Sequence, residues 1–182
     1  VSTQSTGLVR NTLLIFKETI SREDLDQIEG FKWKVFNLFI PFTKTIPKFA
    51  FECFCSLQYV YAPNLEIIQR CSFHQCSSLI RFDAPNIQFV GEETFSCCFC
   101  LRYIDLQKAL TVEQEAFSNC RNLKQVVCNQ KVELGEGCFY YCYNLELLQL
   151  PFVEHIETQV LSEEMHSGEI YLAMRSPLSQ VA

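Results

Sequence analysis

Apolar positions along this chain recur every 22 residues. Phenylalanine stands at Phe51, Phe73, Phe95, Phe117 and Phe139, with no insertion or deletion between the first and the last. Five residues before each comes an aliphatic (Ile46, Ile68, Val90, Val112, Leu134), and six after each comes a leucine (Leu57, Leu79, Leu101, Leu123, Leu145). The leucine opens a short alternating segment. Its second apolar slot holds Val60, Phe82, Ile104, Val126 and Leu148, and its third holds Ala62, Ala84, Leu106, Cys128 and Leu150. Alternation of this kind predicts one strand per unit with a buried face. A fixed period over five copies predicts that these strands stack in parallel as a solenoid whose core is a continuous stripe.

Laying the units over one another turns the sequence into columns. The residue before each Phe is small (Ala50, Ser72, Thr94, Ala116, Cys138), as close packing requires. Pro63, Pro85 and Pro151 share the position after the strand, where a missing N–H is tolerated because the ladder ends there. Both ends read as degraded copies. Val35, Leu38, Ile40 and Pro41 keep the strand pattern upstream, while Glu29 and Lys32 replace the Phe and Cys of the turn. Ser21 with Asp24 forms a capping-box pattern, Leu25 and Ile28 give a short apolar face, and Gly30 is a stop, so a helical N-terminal cap is expected. Downstream, Leu161, Ile170 and Leu172 hold apolar slots but Glu164 and Ser167 replace the Cys and Leu, which predicts a weaker C-terminal cap that frays beyond Pro177. The expected organisation is a cap with a degenerate repeat over 1–45, five repeats over 46–156 and a degenerate repeat or cap over 157–182.

The period of 22 lies inside the roughly 20–29 residues of leucine-rich repeats. The unit order of aliphatic, spaced Phe, Cys, Leu, aliphatic and often Pro, as in TVEQEAFSNCRNLKQVVC and FHQCSSLIRFDAPNIQFVGEETF, resembles the BspA-like leucine-rich repeats over residues 46–156. Departures are local: Phe54 replaces the turn Cys, and Lys131 enters a column otherwise filled by Leu65, Ile87, Ala109 and Val153. The fold expected is a leucine-rich-repeat solenoid, a parallel β-sheet stack with a turn-rich outer side and a short helical N-terminal cap. What the resemblance implies about function is association with bacterial surface adhesins and with expanded parasite families taken to bind proteins.

Charge and composition narrow the partners. A net charge of −6 disfavours nucleic acid, whose non-specific affinity comes from Lys and Arg neutralising phosphates. No apolar run reaches the roughly 18 residues of a membrane span, since Lys32, Lys34, Asn37 and Pro41 break the Phe31 to Phe42 patch. Of eleven cysteines, Cys76, Cys98, Cys120 and Cys142 share one column, where parallel Cβ vectors hold neighbours too far apart to bridge, so a stack of reduced, buried thiols is expected. Cys128 and Cys138 have packing roles, while Cys53, Cys55, Cys71, Cys97 and Cys100 do not. Unpaired thiols favour a reducing, cytoplasmic compartment; the family resemblance points to the cell surface.

A zinc set of Cys97, Cys100, His74 and Cys76 can be written down, but no second C-x-x-C completes it, so neither metal nor cofactor is expected. Pairing His74 with Cys76 as base and nucleophile would place catalysis on the structural thiol column. Glu92, Glu93, Glu113, Glu115 and Glu136 read as a solvated acidic edge. The outward strand positions carry the residue types of interface anchors. Tyr59, Tyr61, Arg81, Asp83, Arg102, Tyr103, Asp105 and Lys124 are therefore the candidate binding residues of a non-enzymatic module for a protein partner. The other readings are a structural spacer within a longer chain, or a thiol-dependent enzyme or metal-binding protein. Cross-strand stabilisation alone also accounts for Tyr59, Arg81 and Tyr103.

Overall fold

A computed structural model describes residues 6–150, 152, 160 and 161, and the backbone of 171–173. Pro151, Val153, Ile156, Glu164, Ser167, Ile170 and the end beyond Pro177 lie outside the described residues. Numbered in chain order, the first sheet contains β1 (Thr6–Val9), β2 (Thr12–Ile15), β3 (Asn37–Phe39), β5 (Tyr59–Tyr61), β7 (Arg81–Asp83), β9 (Tyr103–Ile104), β11 (Gln125–Val127), β13 (Leu147–Gln149) and β14 (Tyr171–Ala173), adjacent in that order. All pairs are parallel except the β1–β2 hairpin. The register follows the 22-residue period: Leu38 faces Val60, Val60 faces Phe82, and Phe82 faces Ile104. These central residues are buried, as the alternation requires.

The aliphatic column forms a second sheet that the sequence reading treats only as apolar slots. It comprises β4 (Thr45–Ile46), β6 (Ile67–Ile68), β8 (Phe89–Val90), β10 (Thr111–Val112) and β12 (Glu133–Leu134), all parallel and in register. Two residues per strand leave no alternation to detect. Between the sheets runs the phenylalanine ladder. Adjacent rings from Phe51 to Phe139 stack at 5.2–5.6 Å between centroids, and all five are fully buried. Phe82 meets Phe73 and Phe95 edge-on, each at 5.0 Å. Phe54, replacing the Cys of later repeats, packs edge-on against Phe51 at 5.4 Å.

The turns form a third ladder. Two residues per repeat take left-handed backbone: Phe49, Cys71, Glu93, Glu115 and Gly137 in one column, Cys53, Gln75, Cys97, Asn119 and Tyr141 in the other. Only Gly137 is glycine, so a steric cost is incurred almost throughout. Compensation comes from alternate N–H groups donating to the next repeat: Phe49 to Arg70 O at 3.1 Å, Phe51 to Ser72 O at 2.8 Å and Cys53 to His74 O at 2.9 Å. The same triplet repeats from Cys71, Phe73 and Gln75.

Each column thiol completes this arrangement. The Sγ atoms of Cys76, Cys98, Cys120 and Cys142 donate to the carbonyls of Phe51, Phe73, Phe95 and Phe117 at 3.1–3.2 Å. All eleven cysteines are free. The buried hydroxyl of Thr94 likewise reaches Gly91 O at 2.7 Å, which satisfies a polar group in the small column.

At the N-terminal end, helix α1 (Arg22–Glu29) starts with both hydrogen bonds of the capping box between Ser21 and Asp24. Asp24 also meets Lys17 Nζ at 2.5 Å. Gly30 ends the helix in right-handed backbone (φ −66°) rather than in a left-handed cap. The β1–β2 hairpin is an addition to the expected cap. Arg10 and Asn11 both have positive φ (46° and 66°), which suits a two-residue hairpin turn.

Candidate functional site

Successive strands of the first sheet project two outward columns. One runs Asn37, Tyr59, Arg81, Tyr103, Gln125, Leu147, and the other begins Phe39, Tyr61, Asp83. In-register parallel pairing keeps these side chains on one face.

Asp83 organises the centre of that face. Its Oδ2 accepts the Tyr59 hydroxyl at 2.8 Å, while its Oδ1 accepts Arg81 Nε at 2.6 Å. Partial burial, followed by the hydrogen bond to Asp83, pushes the Tyr59 phenol up to about 12. Tyr103 is raised as well, first by burial and then by the charges of Asp105 and Asp83. It remains 42% exposed. Asp105 Oδ1 accepts the Gln107 N–H at 3.0 Å, which turns this carboxylate back towards its own chain. Lys124 pairs with Glu146 at 2.8 Å. The side chain of Arg102 is exposed and makes no hydrogen bond or ion pair among the described residues.

Thus Tyr59, Arg81 and Asp83 are brought into direct contact, with Tyr103 in register beside Arg81. Tyr61 belongs elsewhere: it stacks on Phe39 at 5.0 Å and 9°. Phe16 packs against both Phe39 and Phe42, at 6.0 and 6.3 Å. Of this aromatic wall at the N-terminal end of the face, only Tyr61 is among the residues singled out from sequence. Phe39 was detectable, because it stands 22 residues before Tyr61; Phe16 was hidden with the unrecognised hairpin.

The acidic edge has its own geometry. Arg70 Nη2 lies 3.3 Å from both Glu92 and Glu93, and Glu113 Oε2 accepts the Glu92 N–H at 3.0 Å. An open groove of about 390 Å³ runs past Glu92, Glu113 and Glu133. His74 Nδ1 is buried without a hydrogen-bond partner, 3.9 Å from Glu93 Oε2.

Cys76 does not pair with His74: its thiol faces Phe51 O, and burial drives its pKa far up, which is the reverse of an activated nucleophile. Among the described residues, no group of three or more His, Cys, Asp or Glu could hold a metal ion, and the set of His74, Cys76, Cys97 and Cys100 is not assembled. No helix among them is long and apolar enough to cross a membrane.

With two parallel sheets and a 22-residue register established, sequence comparison decides the family. The model of the BspA type leucine-rich repeat region matches residues 44–166 in six copies. The chain belongs to the BspA-type leucine-rich repeat family. No curated protein matches it. Among solved structures, a Treponema pallidum leucine-rich repeat protein is 23% identical with a TM-score of 0.46, covering 62% of this chain and 66% of its own. A leucine-rich cell surface protein of Faecalibacterium prausnitzii is 18% identical with a TM-score of 0.50, covering 81% and 45%. A Bacteroides ovatus leucine-rich repeat protein is 17% identical with a TM-score of 0.44, covering 84% and 56%. The BspA-type chain therefore spans 45–66% of the length of these proteins. The Faecalibacterium likeness supports the solenoid fold.

Proposed function

We propose that the chain is a non-enzymatic protein-interaction module whose partner docks on the outward face of the first sheet. The observation carrying this reading is the fixing of Tyr59 and Arg81 by the Asp83 carboxylate, beside exposed Tyr103 and unpaired Arg102. Side chains held before binding lose less rotamer entropy on engagement, so preorganised Tyr and Arg are efficient anchors. Tyr61, Asp105 and Lys124 border this centre, and the Phe39–Tyr61 stack supplies an apolar flank. A net charge of −6 argues for protein over nucleic acid.

The test is affinity capture from extract of the source cell with the purified chain, its Arg81→Ala/Tyr103→Ala variant and its Glu113→Gln/Glu115→Gln variant. The same bound protein should be lost with the first variant and kept with the second, while both retain the parental thermal midpoint. The reverse pattern would move the interface to the acidic edge. Unchanged capture by both variants would place the interface on neither surface, and capture of no protein by the parent chain would leave the domain as a spacer.

A further inference from the structure

Two thiols on the turn edge are not used by the packing of the solenoid. Cys53 is half-buried and Cys55 is exposed, in the turn between β4 and β5. Both sulfurs point along the solenoid axis to one residue of the next repeat. Cys53 Sγ lies 3.4 Å from Gln75 Oε1, and Cys55 Sγ lies 3.6 Å from Gln75 O. The column thiols, by contrast, are sealed inside against phenylalanine carbonyls. Two residues apart in a turn, the Cα atoms of Cys53 and Cys55 stand about 5–6 Å apart, inside the bridging range of roughly 4.4–6.8 Å. Cys97 shares the column of Cys53, but Gln75 intervenes and two strand spacings separate them by about 9–10 Å. Lys32 completes the group: its Nζ binds Glu29 at 2.6 Å, and after that hydrogen bond and Glu29 itself, the charges of Cys53 and Cys55 also raise its pKa.

We infer that Cys53 and Cys55 form a thiol–disulfide exchange site for a low-molecular-weight disulfide. The exposed Cys55 thiol loses its proton to solvent, and its thiolate attacks one sulfur of the incoming disulfide. That S–S bond breaks, a mixed disulfide forms on Cys55, and one small thiolate leaves. Cys53, deprotonated in turn, attacks Cys55 Sγ; the Cys53–Cys55 bond forms and the second small thiolate departs. Two protein thiols are thereby oxidised by two electrons, the disulfide is reduced to two thiols, and the two protons end on the released thiols. Burial, then the charges of Glu52 and Cys55, hold the Cys53 thiol above its ordinary range against the opposing pull of Lys32. The second step therefore quickens as pH rises.

The test uses the native full chain and glutathione disulfide at pH 8, with alkylation of remaining thiols and peptide mass analysis. Cleavage after Lys48 and Arg70 yields a peptide holding Cys53 and Cys55 and no other cysteine. The expected result is loss of two hydrogens from this peptide, with Cys76, Cys98, Cys120 and Cys142 still free. Cys53→Ser should trap a glutathione adduct on Cys55. Cys55→Ser should abolish the bridge and slow glutathione release at least tenfold. Circular dichroism of each variant checks that the solenoid persists, and Cys53→Ala serves where Ser perturbs it. A stable adduct on Cys55 of the parent chain, a bridge to Cys97 instead, or bridging seen only in urea would each overturn the assignment.

Discussion

Replacing Phe95 with alanine measures how far stability depends on the phenylalanine ladder. Its ring is sandwiched between Phe73 at 5.5 Å and Phe117 at 5.2 Å and is met edge-on by Phe82 at 5.0 Å. Burial of a Phe side chain is worth about 1.5–3 kcal/mol. The void left by the ring, roughly 100 Å³ at about 24 cal/mol per Å³, adds about 2.4 kcal/mol if the walls do not close. They are held apart by backbone bonds such as Phe95 N to Ala116 O at 2.7 Å, so little relaxation is expected. The total is about 4–5 kcal/mol, near the top of the range for Phe→Ala. Phe139→Ala should cost less, because Phe139 stacks only on Phe117 among the described residues. Urea unfolding followed by circular dichroism is the assay, since Trp33 is 63% exposed and reports poorly on the core. Destabilisation below about 2 kcal/mol at unchanged slope, or equal costs at the two sites, would refute the stacked-core argument.

Three further outcomes follow from the geometry. The Tyr59 pKa of about 12 lies above the ordinary phenol value, so the folded chain favours the neutral form; this contribution is complete below about pH 10 and is lost as pH rises towards 12. Ultraviolet titration should show late-ionising tyrosines, Tyr59 and Tyr103, that ionise earlier in Asp83→Asn; an unchanged curve would contradict the Tyr59–Asp83 bond. Burial tends to raise Asp24, but hydrogen bonds from Lys17 and Ser21 prevail and lower it, so its contribution holds above the ordinary carboxylate value of 3.8 and is lost at lower pH. Asp24→Asn should cost about 1–2 kcal/mol at neutral pH through loss of the cap and ion pair, and show a shallower acid decline than the parent; equal stability of the two chains would refute this. Finally, Cys76, Cys98, Cys120 and Cys142 should resist a thiol reagent in the native chain and react without prior reduction once unfolded; reactivity only after reduction would show that they are bridged.

Repetition made the fold readable because each column was sampled five times. The buried status of Val60, Phe82, Ile104, Val126 and Leu148 follows from alternation, and the capping box follows from Ser21 and Asp24 alone. What escaped were features too short for a pattern or present only once. Two-residue strands such as Ile67–Ile68 have no period, and the Thr6–Ile15 hairpin lies outside the 22-residue register. The left-handed turns escaped for another reason: Phe49, Cys53, Cys71 and Gln75 are not residues that announce positive φ. Their conformation is imposed by bonds between repeats, which no single repeat encodes.

The same distinction applies to the candidate site. Which side chains face outward was set by strand alternation and could be read directly; what each does there depends on neighbours one repeat away. Asp83, chosen as a polar surface residue, binds the Tyr59 hydroxyl and Arg81 together. Tyr61, chosen alongside Tyr59, instead extends an aromatic surface with Phe39 and Phe16. A column is a list of positions, whereas contact across it depends on side-chain reach and on what the adjacent repeat offers. Because the repeats share a backbone but differ in these outward residues, substitutions here can alter recognition while the buried phenylalanines and thiols keep the register unchanged. On the proposed reading, that separation suits the strand face, rather than the repeated geometry of the turns, to distinguish one partner from another.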